Sequence, residues 1–490
     1  MALAIESIER TGPSRTQPIT DNAKLIVASY RLPSSAPTSS TGHQVGGSGG
    51  LISAVVPGVR DRDTLWIGAM TQGPKRPTTN SPLRRMVGVE VAGALHDEAY
   101  GGFANATLWP ALHGALRPIR FQPSWWRAYQ LVNQRFAQTI ASHAPVRSLV
   151  WLHDYQLMLT ASYLRSLRPD LRIGFFLHTP FPEPEIAATI PHHRELVTAL
   201  TDADLLGFQD SRSLDNFMAL NDDVRAERSR SARTPGARLG VFPVAADSSR
   251  FDRTARTAGS TADALAWRQR VGDPTLLLVG VDRLDYTKGI TTRLHAIDRL
   301  LTAGVLCAKD MRLVQVALRT RESIPEFDRY RRDVLGLAEA INQRHEIADH
   351  RPIHIVDVPL DHSDLCALYR AADVMLVTPV RDGMNLVAKE YVASQATGTG
   401  ALVLGRGAGA AQQLSSAFLV DGGNPASVAE GIIRASCAPS DERQRRMTEL
   451  RNVVMQESAA SWASQFLAAL ADDSWRERGR GRDDQRYAVC

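Results

Sequence analysis

Residues 282–289 of this chain read Asp-Arg-Leu-Asp-Tyr-Thr-Lys-Gly and follow the apolar run TLLLVGV (275–281). If that run is a strand, Arg283 and Lys288 stand at its carboxyl end, just before a helix expected to begin near Ile290. Two cations beside a helix N-terminus suit a diphosphate, because unpaired N–H groups and the helix dipole both favour negative charge there. The competing reading is a surface ion-pair cluster of these cations with Asp282 and Asp285. The scarcity of lysine favours the phosphate: only Lys24, Lys75, Lys288, Lys309 and Lys389 occur. A second candidate set follows DVMLVTP (373–379), where Asp382, Gly383, Met384 and Asn385 lead into a helix over 386–394. Glu390, on the second turn of that helix, is either a partner for ribose hydroxyls or an exposed helical carboxylate. Asp154 and His178 end two successive apolar runs, RSLVWLHDY (147–155) and RIGFFLHTPF (172–181). Either could be structural alone, but one on each of two neighbouring strand ends favours a site.

The elements that must position these residues follow from the apolar pattern. From about residue 145, short apolar runs alternate with amphipathic helical stretches. The runs at 147–155, 172–181 and 204–209 form one set, joined by KLIVAS at 24–29. Those at 275–281, 311–318, 352–357, 373–379, 401–405 and 417–420 form another. Buried strands joined by helices mean parallel sheets with right-handed crossovers. The expected architecture is α/β, two Rossmann-like doubly wound domains facing a cleft, where ligands meet the carboxyl ends of the strands. The expected boundaries are a structureless tail over 1–23, an N-terminal domain over 24–245 and a C-terminal domain over 246–455. A helical segment over 456–478 crosses back to the first domain, and a structureless tail covers 479–490. Residues 32–50, ending in GGSGGL, cannot pack a core and read as a surface loop or a lid. The Arg-rich stretch 226–238 reads as a solvated loop.

Composition narrows the function. The chain has 490 residues, 44% of them hydrophobic and 22% charged, which suits a globular protein of two to four domains. A net charge of +5 gives no strong field, so a nucleic-acid partner is not expected. No run of about 18 apolar residues exists, so no membrane partner is expected either. The N-terminus carries Glu6 and Glu9 where a signal peptide needs an apolar segment, so a cytoplasmic location is expected. Cys307, Cys366, Cys437 and Cys490 form no CxxC pair, and no metal-ligand spacing is present.

The long motifs FANATLWPALH, WLHDYQL, IGFFLHTPFP, LLGFQ, GVDRLDYTKGI and VTPVRDGMNLVAKEYVASQ, in this order, carry a resemblance. The chain resembles glycosyltransferase family 20, the retaining trehalose-6-phosphate synthases of GT-B fold, over about residues 24–470. The resemblance implies that Arg283 and Lys288 hold the diphosphate of a nucleotide-sugar donor. It gives Asp382, Gly383, Met384, Asn385 and Leu386 to the donor sugar and its phosphate, Glu390 to the ribose and His178 to the donor sugar. It also places Gly50 near the donor phosphate. Arg31, Trp66, Tyr100, Trp109 and Arg321 match a glucose-6-phosphate site, and Asp154 reaches the acceptor. The implied reaction is glucose transfer, with retention, from UDP-, ADP- or GDP-glucose to glucose-6-phosphate. Neither cofactor nor metal is called for. A homodimer or homotetramer is also what such a family suggests.

The chain departs from the family pattern at Tyr30, at Ala69, at Leu318-Arg319-Thr320 and at Gly405-Arg406-Gly407. These flank the implied sites and leave the nucleotide base and the acceptor open. A paralogue using another sugar or aminocyclitol phosphate is the second reading. A non-catalytic sugar-phosphate sensor is the third, although Arg283, Lys288 and Asp382 are all retained.

Overall fold

The computed structural model of the chain describes residues 24–33, 50–60, 62–71, 85–227, 236–472 and 487–488. Two parallel sheets organise it. The N-terminal sheet contains β1 (Leu25–Arg31), β2 (Thr64–Met70), β3 (Met86–Glu90), β4 (Leu149–His153), β5 (Arg172–Phe176), β6 (Leu205–Phe208) and β7 (Arg238–Val241). The C-terminal sheet contains β8 (Leu276–Arg283), β9 (Met311–Leu318), β10 (Ile353–Val356), β11 (Val374–Val377), β12 (Ala401–Gly405) and β13 (Phe418–Val420). A two-residue strand, β14 (Tyr487–Ala488), pairs with β7, so the C-terminal segment expected to lack structure contributes an edge strand. The orders are β14-β7-β6-β5-β4-β1-β2-β3 and β10-β9-β8-β11-β12-β13. All pairs within them are parallel.

The second sheet has the doubly wound order in which the chain reverses direction between its first and fourth strands, here β8 and β11. Crossovers on either side of that point diverge and leave a crevice at the strand ends. The first sheet has its reversal between β1 and β4. Arg31, Asp154, Arg283 and Asp382 all lie at or just past the carboxyl ends of these four strands. The strands expected after residue 145 lie where the apolar runs place them. β2, β3 and β7 were not anticipated: β3 has a glycine at its centre, and β7 is four residues long and begins inside the Arg-rich stretch. Most of that stretch and residues 34–49 of the candidate lid lie outside the described residues.

The C-terminal helix Ala459–Ala471 lies against the N-terminal sheet. Its Trp462 indole donates to the Phe242 carbonyl (3.0 Å), and Phe466 stacks on Trp151 of β4 with centroids 4.9 Å apart. Trp66 belongs to this same apolar layer, with Val27, Trp151 and Phe466.

A buried ion pair ties the second sheet together. Arg293 donates to Asp282 (2.9 Å) and Gln315 (2.6 Å), linking β8, β9 and the helix Ile290–Thr302. Asp282 is therefore engaged away from Arg283 and Lys288.

Asp154, the first residue past β4, has φ 73° and ψ 168°, a region that glycine alone occupies without strain. It is held there by its N–H to the Phe176 carbonyl (2.9 Å) and by its carboxylate, which accepts from the His178 N–H (3.2 Å). An alanine at a glycine-type backbone costs about 1–3 kcal/mol. Asp154→Gly should therefore be more stable to heat than Asp154→Ala, the reverse of the usual ranking, by about 1 kcal/mol. Differential scanning calorimetry of the two variants checks this, and a less stable glycine variant would contradict the backbone assignment.

Candidate active site

Arg283, Lys288, Asp382 and Asn385 converge at the β8–β11 reversal. Arg283 closes β8, and a one-turn helix, Tyr286–Lys288, brings Lys288 back over the same strand end. Lys288 Nζ donates to Asp382 Oδ2 at 2.5 Å, and Asn385 Nδ2 donates to the same oxygen at 3.0 Å. Burial pushes the Asp382 carboxyl up, but Lys288 outweighs it and the net shift is downward. Asn385 adopts a left-handed conformation (φ 79°) and caps the helix Leu386–Ser394 by accepting from the Ala388 N–H (3.3 Å). Glu390 on that helix is half-buried and accepts from the Tyr369 hydroxyl at 3.1 Å. Burial raises its carboxyl to about 7. It is thus not a solvated helical carboxylate.

Arg283 is 40% exposed and reaches Thr320 Oγ1 at 3.5 Å and the Asp285 carboxylate at 4.0 Å. Asp285 is 0% exposed and forms its short ion pair with Arg321 instead, at 2.8 Å. Burial pushes Asp285 up, yet Arg321 and Arg283 together hold it below the usual carboxylate range.

Arg321 joins the two halves. It follows β9, has φ 47°, and its second guanidinium nitrogen donates to the Tyr155 hydroxyl of the N-terminal half at 3.3 Å. Its guanidinium lies 3.9 Å above the Trp109 ring. Tyr100 accepts from Arg31 Nη2 at 3.0 Å. Burial pushes the Tyr100 phenol up, but the Arg321 and Arg31 cations outweigh it and hold its pKa below the ordinary value.

Local helix geometry explains how Tyr100 and Trp109 serve one place. Residues 97–108 wind as a π-helix (Asp97–Leu108), with Asn105 Nδ2 donating to the Tyr100 carbonyl at 2.7 Å. Nine residues of α-helix, at about 100° each, would put the two rings on opposite faces. At roughly 82° per residue, the wider π winding returns them to nearly the same face.

Asp154 and His178 adjoin this cluster. Burial lifts the Asp154 carboxyl to about 6 and lowers the His178 imidazole to about 3. The two halves touch closely here: a Cβ on Gly383 would collide with the His178 carbonyl oxygen. Arg381 reinforces the contact by pairing with Glu183 of the N-terminal half at 2.9 Å.

The structure thus brings together Arg31, Tyr100, Trp109, Asp154, His178, Arg283, Lys288, Arg321, Asp382, Gly383, Asn385 and, one turn further on, Glu390. Met384 is buried beside them, and Leu386 opens the helix. Trp66 requires correction. It is 0% exposed, donates to Ser29 Oγ (3.0 Å) and sits in the layer beneath the sheet, so it cannot meet an acceptor. Successive residues of a strand face opposite ways, and the expectation took no account of which face Trp66 occupies. Gly50 also differs from expectation, being the first residue of a helix (Gly50–Val59) rather than part of a loop.

Sequence reasoning missed Asp285 as an organising carboxylate, and it missed Tyr155, His153 and Tyr369. Asp285 and Tyr155 lie within the motifs quoted above, but nothing in the sequence names Arg321 as their common partner. Two departures acquire reasons. Tyr30 stacks on Tyr100 with centroids 4.9 Å apart and bonds His96 Nδ1 at 2.8 Å. Gly407 packs where a Cβ would strike the Val380 carbonyl, and the Gly407 carbonyl accepts from the Asp382 N–H (2.9 Å). Among the described residues, no group of three or more His, Cys, Asp or Glu is arranged to hold a metal ion, and no helix is long and apolar enough to cross a membrane.

Comparison with known proteins agrees with this fold. The family model for glycosyltransferase family 20 matches residues 23–472. A trehalose-6-phosphate synthase of Mycolicibacterium gilvum is 37% identical over 485 residues, covering 94% of this chain and 96% of the relative. An alpha,alpha-trehalose-phosphate synthase (UDP-forming) from Burkholderia xenovorans, solved with glucose-6-phosphate, superposes with a TM-score of 0.83 at 31% identity. It covers 92% of this chain and 100% of that one. An E. coli structure bound with UDP-2-fluoro glucose gives a TM-score of 0.81 at 30% identity, covering 92% and 99%. With two doubly wound domains, a cationic cleft at their facing strand ends and a match over nearly all of its length, the chain belongs to glycosyltransferase family 20.

Proposed function

We propose that this chain transfers glucose, with retention, from a nucleoside-diphosphate glucose to glucose-6-phosphate, making α,α-trehalose-6-phosphate. The observation that carries the proposal is the division of cations in one cleft. Arg283 and Lys288 stand on the donor side, Arg31 and Arg321 on the acceptor side, with buried Asp285 between them. The names of the relatives, one UDP-forming and one bound with UDP-2-fluoro glucose, support a uridine donor.

The donor diphosphate takes Arg283 and Lys288, and Lys288 exchanges its bond to Asp382 for a phosphate oxygen. The freed Asp382 carboxylate and the Asn385 amide then face the sugar hydroxyls, with the helix start at Leu386 beside the phosphate. Glu390 accepts from the ribose. On the other side, Arg31, Tyr100 and Arg321 hold the acceptor phosphate, while Trp109 packs against apolar sugar surface and Asp154 accepts from an acceptor hydroxyl. As the bond from the anomeric carbon to the diphosphate oxygen breaks, the acceptor hydroxyl oxygen bonds to that carbon from the same face. Its proton passes to the departing diphosphate, and no enzyme carboxylate acts as nucleophile. Arg283 and Lys288 stabilise the charge growing on the leaving group, which is the electrostatic term expected to dominate.

A coupled assay of nucleoside diphosphate release, offering UDP-, ADP- and GDP-glucose with and without glucose-6-phosphate, tests this function. Release dependent on glucose-6-phosphate is expected. Silence with all three donors from folded protein would sink the proposal and favour another acceptor. In the same assay, Arg283→Ala and Lys288→Ala should each lower kcat by roughly 100- to 1000-fold, with the circular dichroism spectrum unchanged. Turnover unaltered in both would refute the diphosphate assignment.

Glu390 gives a pH signature. A carboxyl near 7 is mostly ionised at pH 8 and mostly protonated at pH 6, and only the ionised form is a full acceptor for ribose. Calorimetric affinity for the nucleoside diphosphate should fall roughly tenfold from pH 8 to pH 6 through this group. Phosphate titration is common to wild type and Glu390→Gln, so the difference between their profiles isolates Glu390. Coincident profiles would remove it from the ribose site.

A further inference from the structure

His153 and His178 end neighbouring strands, and their rings meet: His153 Nδ1 lies 3.0 Å from His178 Nε2. That contact needs one proton, and hydrogen-bond accounting assigns it. His153 is 0% exposed, with its ring centroid 4.5 Å from that of Trp151. Its Nε2 is enclosed and has no partner among the described residues. Burial keeps both imidazoles neutral, so each ring carries a single N–H. A proton on His153 Nε2 would be an enclosed donor with no acceptor, the orphan that folded proteins most avoid; a bare lone pair there is less costly. The proton therefore sits on His153 Nδ1 and is donated to His178 Nε2. His178, with Nε2 accepting, must carry its own proton on Nδ1. That nitrogen has no protein partner among the described residues and is not enclosed, and the half-buried ring stands at the cleft edge beside Gly383.

We infer that His153 is a positioning residue that locks His178 in the Nδ1–H form, so that the ring offers the donor sugar a hydrogen-bond donor and never an acceptor. The inference rests on the reading of His178 as a donor-sugar contact. Its physical sense is that sugar hydroxyls can donate or accept, so a neutral imidazole free to change tautomer would leave their orientation undetermined. Fixed as a donor, His178 requires the facing sugar oxygen to accept, and the hydroxyl proton must point to another acceptor.

The full-length chain labelled with [15N]histidine tests the tautomers directly. Long-range proton–nitrogen spectra are recorded without substrates, with His153→Asn and His178→Gln used to assign the two rings. Both rings are expected in the neutral Nδ1–H form at pH 7; an Nε2–H on either ring overturns the inference. Kinetics supply the second readout. Asparagine places an amide N–H where Nδ1–H was, so His153→Asn should keep kcat/KM for the nucleotide sugar within about threefold of wild type. His153→Leu should lower it about tenfold or more, with the acceptor KM within about twofold of wild type in both variants. Equal effects of Asn and Leu would also overturn the inference, because a purely packing role does not distinguish them in this way. Since the spectra need no turnover, a failure of glucosyl transfer counts against the proposed function and leaves the tautomer result standing.

Discussion

Everything in the cleft depends on one enclosed carboxylate staying ionised. Asp285 accepts from Arg321 at 2.8 Å, lies 4.0 Å from Arg283, and accepts from the N–H and hydroxyl of Thr287 at 3.2 and 3.1 Å. Desolvation opposes its charge, but the surrounding cations win, so its pKa is lowered. A depressed carboxyl adds stability that is present at neutral pH and is lost as pH falls through its folded-state value. Without that charge, Arg321 would be an enclosed cation with no counter-ion, which is strongly destabilising. With it, two guanidinium groups that would repel each other are held on either side of one carboxylate. The same pair joins the halves, because Arg321 also meets Trp109 and Tyr155 across the cleft.

The scaffold concentrates its irregularities at this place. Asp154, Arg321 and Asn385 all have positive φ, and the helix that presents Tyr100 is wound as π rather than α. Such conformations persist only where the surroundings over-determine them. The parallel sheets supply that rigidity beneath the site. Further support comes from buried Lys389, which donates to the Val244 carbonyl at 2.8 Å and lies 3.9 Å from Glu457. It thereby pins both chain crossings between the halves, next to Glu390 in sequence.

Much of this was legible from residue order. Fully buried strands leave long apolar runs, so most strands of both sheets were visible, and the positions of Arg283, Lys288, Asp154 and His178 at strand ends followed at once. What stayed hidden was orientation and pairing. Trp66 has the right type and motif for a sugar platform, yet the pleat turns it into the core. Tyr100 and Trp109 share a face only through π winding, which no apolar period announces. Lys288 pairs with Asp382, 94 residues on, and Arg381 with Glu183, 198 residues back; such partners are set by tertiary geometry. Short strands such as β3 and β7, with a glycine or a preceding charge run, carry too few apolar residues to signal themselves.

The most direct test of two anions held on opposite sides of Asp285 is a crystal structure of the chain with a nucleoside diphosphate and glucose-6-phosphate together. The account requires the diphosphate within hydrogen-bond distance of Arg283 and Lys288, with Lys288 released from Asp382. It also requires the sugar phosphate within reach of Arg31 and Arg321. Both phosphates on one set of cations, or a sugar phosphate bound outside the cleft, would contradict it.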